Sequence, residues 1–289
     1  MRLLNDYLRE TFGCKVYKIA LNAGFTCPNR DGTLGTGGCI FCSAGGSGEF
    51  AEDAAHRITE QIEAGKARVS RKIRDGKYIA YFQAYTNTYG PAEHLRTLYM
   101  EAAEHPDIVA ISIATRPDCL PEDVLELLAE INQIKPVWVE LGLQTIHPKT
   151  AEYIRRGYEL PVYDRVVREL RSRGIEVITH VILGLPGETV PEMLETVGYV
   201  CDSGATGIKL QLLHVLKGTD LEKEYLDGRA QVLSEDEYID ILKQCLRVIP
   251  EDVVIHRLTG DGDKRLLVAP LWSGDKKHVW NRIRNEVIT

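Results

Sequence analysis

Long apolar runs are missing from this chain of 289 residues. No stretch of about eighteen apolar residues occurs, so no segment reads as a transmembrane helix. A large charge of one sign is missing too. The formal net charge of −7 is mildly acidic and does not announce a nucleic-acid binder. There is no internal repeat, no low-complexity tract and no linker that would split the chain. The reading is therefore one compact domain, a size that α/β barrels routinely reach. An odd count of seven cysteines and the lack of a signal peptide argue against a disulfide framework and point to a reducing cytoplasmic setting. Cys14, Cys119, Cys201 and Cys245 lie far apart and have no CxxC partner, so they supply no second metal centre. Cys201 and Cys245 fall in apolar helical stretches and read as core thiols. Cys119 follows Arg116-Pro117-Asp118, where it is a structural thiol or a substrate contact.

What is present is a glycine-rich stretch with three cysteines, Cys27, Cys39 and Cys42. Soft thiolates suit iron–sulfur chemistry, and three of them can hold three irons of a four-iron cluster. The fourth iron then has no protein ligand and stays open to a substrate or cosubstrate. A zinc site with its fourth ligand elsewhere is the alternative. The nearest downstream histidine, His56, stands in a stretch that reads as helix.

Strands and helices alternate along the chain. Residues 15–21, 78–84, 108–114, 137–144, 176–183 and 208–215 read as six strands, with a late strand over 253–258. Helices are expected over 54–74, 92–104, 121–131, 163–173 and 192–202. Pro121 suits a first helical turn, and Gly174 closes the helix before it. Ser234-Glu235-Asp236-Glu237 is a capping box for a helix through Arg247, and 278–286 reads as a closing helix. Repeated β-then-α units imply a parallel sheet.

Several strands carry polar residues on one face, where a barrel lumen is ordinarily filled with branched apolar side chains. The fourth strand sets Trp138, Glu140, Gly142 and Gln144 against Val137, Val139, Leu141 and Leu143. The third ends in Ser112 and Arg116, the fifth offers His180, and the sixth offers Lys209 and Gln211. Buried charge without a partner is expensive, so these groups line a wet or ligand-filled cavity, or pair across the lumen for structure.

The segment from Val16 through Ala23-Gly24-Phe25-Thr26-Cys27-Pro28-Asn29-Arg30-Asp31-Gly32-Thr33 to Gly37-Gly38-Cys39-Ile40-Phe41-Cys42 resembles the radical S-adenosylmethionine (SAM) superfamily. Eleven residues separate the first two cysteines, where most of that superfamily has three. The wider gap is similar to the Elp3-like, YhcC-type branch, which is related to coproporphyrinogen-dehydrogenase-like proteins. The resemblance continues through 82–89, 115–118, 140–144, 184–189 and 256–261, and so covers nearly the whole chain. It implies a partial (β/α)6 TIM-like barrel over about 15–216, with a C-terminal extension over about 217–289. It implies that Cys27, Cys39 and Cys42 hold a 4Fe-4S cluster whose open iron chelates SAM. Reductive cleavage of SAM then gives a 5′-deoxyadenosyl radical that abstracts hydrogen from the substrate. Gln83, Tyr85, Thr86 and Asn87 stand where many relatives have a Gly-Gly-Glu motif for the SAM amino group, a motif this chain lacks. Arg116 would face the SAM carboxylate, Gln144 the ribose, and the Gly184-Leu185-Pro186-Gly187 turn the adenine.

The relatives that the resemblance brings in modify wobble bases. It implies C–N cleavage of an aminomethyl-linked base substituent, with carboxymethylaminomethyluridine in tRNA becoming aminomethyluridine. Cleavage of a free base of the queuine type is the alternative, and a non-catalytic iron–sulfur or zinc protein stands as a further one. Glu140, Lys209, Gln211 and His214 are the substrate-side candidates, with Glu140 expected to hold a substrate ammonium. Lys66, Arg68, Arg71, Lys72, Arg74 and Lys77, with Lys264, Arg265, Lys276, Lys277, Arg282 and Arg284, form either solvated faces or a phosphate-contacting surface. Trp138, Tyr81, Tyr85 and Trp272 are core aromatics or a stacking platform. A flavodoxin- or ferredoxin-type electron donor is the expected partner.

Overall fold

The computed structural model describes residues 1–71, 73, 76–260 and 262–288. Lys72, Arg74 and Asp261, named above within the basic run and the last motif, lie outside the described residues.

The chain opens with β1 (Arg2–Leu3) and α1 (Leu4–Phe12), which ends on Gly13 at φ +66°. Then come β2 (Val16–Leu21), the long cysteine loop, and α2 (Ile58–Val69). There follow β3 (Lys77–Phe82), α3 (Ala92–Glu104), β4 (Ile108–Thr115), α4 (Glu122–Ile134), β5 (Val137–Gln144), α5 (Pro148–Tyr153), α6 (Leu160–Ser172), β6 (Glu176–Leu183), α7 (Val190–Asp202) and β7 (Gly207–Leu212). The remainder is β8 (Val215–Leu216), α8 (Asp220–Leu226), α9 (Glu235–Val248), β9 (Val254–Arg257), β10 (Leu267–Ala269) and α10 (Lys276–Ile283). The capping box expected at Ser234 is present: its hydroxyl accepts from the Glu237 amide at 3.3 Å. The helix expected over 54–74 is shorter at both ends, and the closing helix starts earlier, where Asp275 caps it through the His278 amide at 3.1 Å.

The sheet is parallel in the order β1-β9-β7-β6-β5-β4-β3-β2. It curls but does not close, because β2 lies at one edge and β1–β9 at the other. Residues beyond 216 thus contribute β9 to the sheet. Alternate residues face out. Ile19, Leu21, Phe82, Ile111, Ile113, Val139, Leu141 and Leu183 form the main core with Tyr99, Leu128, Tyr163 and Val197 of the surrounding helices.

Helix α1 went unseen in the sequence, and it seals the N-terminal end of the barrel. It touches both edges of the sheet, β2 and β9. Leu8 packs with Val16, Ile79, Ala110, Trp138 and Ile178, the lowest inward residues of five strands. Tyr7 approaches the Trp138 ring at 6.0 Å and donates its hydroxyl to Glu176 at 2.6 Å. The barrel is therefore plugged below and open above, where strand C-termini gather.

Candidate active site

One cavity of about 260 Å³ occupies the upper lumen. Its walls hold Cys27, Cys39 and Cys42 from the loop after β2, with Gln83, Tyr85 and Thr86 beyond β3. Arg116, Glu140, Gln144, Lys209, Gln211 and His214 complete it. Residues far apart in sequence meet here because all stand on or beyond the C-terminal halves of parallel strands.

The rim holds backbone strain. Ser47 (φ 65°), Tyr85 (60°), Gln144 (66°) and Arg155 (58°) are the non-glycine residues in the left-handed region among the described residues; the first three line this cavity, and the Arg155 carbonyl meets the Cys39 sulfur behind it. Each such conformation costs on the order of 1–3 kcal/mol and persists only where surroundings hold it. Tyr85 is held by a hydrogen bond from its hydroxyl to the Ala44 carbonyl at 2.5 Å. Gly46 makes room for its ring, since a Cβ there would lie 2.3 Å from it.

The cysteine loop is built around two polar side chains. Asn29 donates to the Arg155 carbonyl at 2.6 Å and to the Cys39 sulfur at 3.4 Å. Arg30 donates to the carbonyls of Cys42 (2.8 Å) and Ser43 (2.6 Å). Burial pushes the Cys39 thiol up to about 11, while the Arg116 charge works the other way. Burial likewise raises Cys42 against the pull of Arg30. Cys27 and Cys42 lie close enough to raise the Cys39 thiol electrostatically, Cys27 does the same to Cys42, and all three line the cavity. Three soft thiol donors with the Arg30 and Arg116 guanidiniums nearby suit an anionic iron–sulfur cluster.

Below the rim lies a polar belt centred on Glu140, which is fully buried. Its oxygens accept from Lys18 (2.5 Å), Ser112 (2.6 Å) and His180 (2.7 Å), and also from Lys209. Lys209 reaches the Tyr81 hydroxyl at 3.3 Å, and Gln211 meets His180 Nδ1 at 3.1 Å. Burial alone would raise the Glu140 carboxyl, but Lys18 and Lys209 outweigh it and hold the group well below the carboxylate range. Burial takes Lys209 down to about 7 despite Glu140, and takes His180 down to about 4. Every oxygen of Glu140 is engaged by the protein's own cations and donors, so the expectation that Glu140 holds a substrate ammonium is not met by this geometry.

Other sequence expectations divide cleanly. Asn87 is buried and donates to the Phe82 and Ala114 carbonyls, tying off the ends of β3 and β4. Gly184 (φ +88°) packs under Leu233, and Leu185 belongs to a small apolar cluster with Ile40 and Ile182. These three residues do not line the cavity. Arg116 does, and Asp118 grips it at 2.9 and 2.8 Å. Cys119 is buried and does not line the cavity. Trp138 lies in the floor, and Trp272 stacks near Tyr238, away from the site. Of the described residues of the basic run, Lys66 and Lys77 pair with Asp107, and Arg68 pairs with Glu52. Arg265 and Arg282 are likewise taken up by Asp263 and Asp236.

Sequence reasoning gave no site role to Lys18, Glu49, Arg156, Tyr158, His256 or Arg257, although Lys18 and 256–261 fall in the segments that carry the resemblance. Lys18 is a charge in the middle of an otherwise apolar strand, which is a usable signal. His256 and Arg257 are harder to see, because β9 carries a bulge. Ile255 pairs with Ile208 and Arg257 with Lys209, so His256 is the extra residue. Such an irregularity breaks the two-residue alternation and turns both side chains inward.

Comparison with known proteins agrees with this geometry. The model of the Radical SAM superfamily matches residues 27–200, and that of the Radical_SAM C-terminal domain matches residues 205–288. The YtqA protein of Bacillus subtilis (strain 168) is 49% identical over 284 residues, covering 98% of this chain and 88% of that protein. A tRNA uridine(34) acetyltransferase of Methanocaldococcus jannaschii is 28% identical over 164 residues, 56% of this chain but only 30% of the longer protein. Among solved structures, Methanocaldococcus infernus Elp3 lacking its N-terminus superposes with a TM-score of 0.69 at 17% identity, covering 93% of this chain and 62% of that one.

Proposed function

The chain belongs to the radical SAM superfamily, and from that premise we propose that it cleaves a C–N bond in an aminomethyl-linked substituent of a wobble base in tRNA. The specific reaction is carboxymethylaminomethyluridine to aminomethyluridine. Radical SAM enzymes use a 4Fe-4S cluster and SAM. Bound here, the pair supplies one-electron scission of a sulfonium and a carbon-centred radical able to take a hydrogen from the substrate.

The chain's own residues have distinct tasks in this reading. Cys27, Cys39 and Cys42 hold the cluster, with Arg30 and Arg116 offsetting its negative charge. Arg116, fixed in direction by Asp118, receives the SAM carboxylate. Gln83, Tyr85, Thr86 and Gln144 offer polar contacts at the strand ends. Phe41, Tyr85 and Tyr158 wall the space and keep water from a reactive intermediate. Lys209, Gln211 and His214 face the substrate. Removal of a hydrogen atom and a second electron from the arm carbon beside the secondary nitrogen, with SAM as the overall two-electron oxidant, would leave an imine that water splits into the aminomethyl base and glyoxylate.

The observation that carries this reading is the meeting of the cysteine loop, the strand-end polar residues and the Glu140 belt in one cavity. Likeness to an enzyme of tRNA uridine 34 supports the wobble-base assignment. Because Lys66, Arg68 and Lys77 are already paired with acids, the barrel mouth is the main recognition surface in this reading. A flavodoxin- or ferredoxin-type protein supplies the electron. The test is incubation of reduced protein with SAM and tRNA bearing carboxymethylaminomethyluridine, followed by nucleoside mass analysis. Aminomethyluridine and 5′-deoxyadenosine should appear together. Deoxyadenosine formation unaffected by that tRNA, with the arm intact, overturns the proposal.

A further inference from the structure

The belt around Glu140 is out of electrostatic balance. One carboxylate faces three basic side chains, those of Lys18, Lys209 and Arg257. Lys18 and Lys209 share Glu140. Arg257 is half-buried and, among the described residues, makes no hydrogen bond or ion pair. It stands in register with Lys209 and lines both the upper cavity and a second one. That second cavity, about 750 Å³, opens along the seam between β2 and β9 and is also lined by Lys18, Tyr81, Gln83, Lys209 and His256. The neighbouring His256 buries Nδ1 with no partner. An unpaired guanidinium and an orphaned ring nitrogen side by side in a lumen are costly unless something completes them. Among the described residues, the other acids lining the upper cavity are engaged elsewhere. Asp263 is chelated by Arg265 at 2.9–3.1 Å, and Glu49 accepts the Ser43 hydroxyl in the cysteine loop.

We infer that Arg257, with Lys18 and Lys209 behind it, forms an anion subsite that takes a carboxylate carried by the substrate. Resting on the C–N cleavage reading, this carboxylate is the acid of the carboxymethyl arm. The planar guanidinium suits two-pronged carboxylate recognition, and the two ammoniums add charge without competing for the same oxygens. The subsite thus reads the part of the substrate that leaves, and reads it by charge. A side arm without an acid, as in a queuine-type base, would leave the belt's excess charge unanswered.

The probe is N-methylglycine, which copies the arm, titrated calorimetrically into the reconstituted holoprotein. N-methylglycinamide and inorganic phosphate are the comparison arms. N-methylglycine should bind, its amide should not, and Arg257→Gln should weaken N-methylglycine at least about tenfold. Among the described residues Arg257 has no hydrogen bond or ion pair to lose, so the variant should keep its melting temperature. Equal binding of acid and amide, or equal affinity in wild type and R257Q, overturns the subsite. Binding of phosphate without N-methylglycine also overturns it, because the anion would then be a phosphate. The two readings fail separately. Arg257-dependent binding with no cleavage of any modified tRNA removes the proposed function and leaves the subsite. Cleavage unchanged in R257Q does the reverse.

Discussion

The two faces of a single strand, β5, obey different rules. Outward, Val137, Val139, Leu141 and Leu143 are buried among helices and contribute by exclusion from water. Inward, Trp138 closes a floor, Glu140 gathers four donors, Gly142 leaves space and Gln144 adopts a left-handed backbone. The outer face could exchange one apolar residue for another of similar volume at small cost. The inner face could not, because each polar group there is balanced against named partners. Stability and chemistry are thus carried by alternate residues of the same segment, which makes them separable by mutation.

The largest effect should come at the rim. Cys42→Ala should bring SAM cleavage to background and remove the brown chromophore of anaerobically prepared protein, with little change in fold. Full activity in that variant would contradict the cluster assignment. Next is the belt. Glu140→Ala leaves Lys18 and Lys209 without their shared carboxylate, and removing one partner of a buried pair costs about 3–5 kcal/mol. A urea midpoint close to wild type would show that the belt relaxes by taking in water.

On the outer face, Leu141→Ala should cost about 2–5 kcal/mol through lost burial and a residual cavity. Activity per folded molecule should be retained, and a selective loss of turnover would mean that the two faces are not separable. Acid should act on the inner face alone. His180 is taken down to about 4 by burial and by the Lys209 charge, so between pH 4 and 6.5 the unfolded chain binds more protons than the folded one. Stability from this residue is present above pH 6.5 and lost as pH falls towards 4, by at most about 3 kcal/mol. Glu140, held below its ordinary range, gives the same sign at lower pH. Urea midpoints measured from pH 7 to 4.5 should fall for wild type and fall less for His180→Gln. The smallest effect should be at α9, away from both faces. Ser234→Ala removes a helix cap for about 1 kcal/mol and should leave turnover untouched.

Much of the inner face was legible in the sequence because strand alternation is a strict two-residue code. Ser112, Glu140, His180, Lys209 and Gln211 were placed correctly in the lumen by that code alone. The code fails where the backbone departs from it. The β9 bulge hides His256 and Arg257, and a left-handed turn at Gln144 accompanies a register shift between β5 and β6. Loops follow no period, so Asn87 read as a cofactor contact although it turns back to bond two strand carbonyls. Helix α1 was missed although Leu4, Tyr7, Leu8 and Phe12 recur at helical spacing, and its role depends on lying across a gap no local pattern reveals.

That gap has its own meaning. No ladder of backbone bonds joins β2 to β9, and the two boundary strands are bridged instead by the few side chains of α1. The girth of the vessel is therefore set by packing, which yields in small steps, and not by peptide pairing, which breaks all at once. The lumen thus has a flank as well as a mouth, and Lys18 and Arg257 stand where that flank opens.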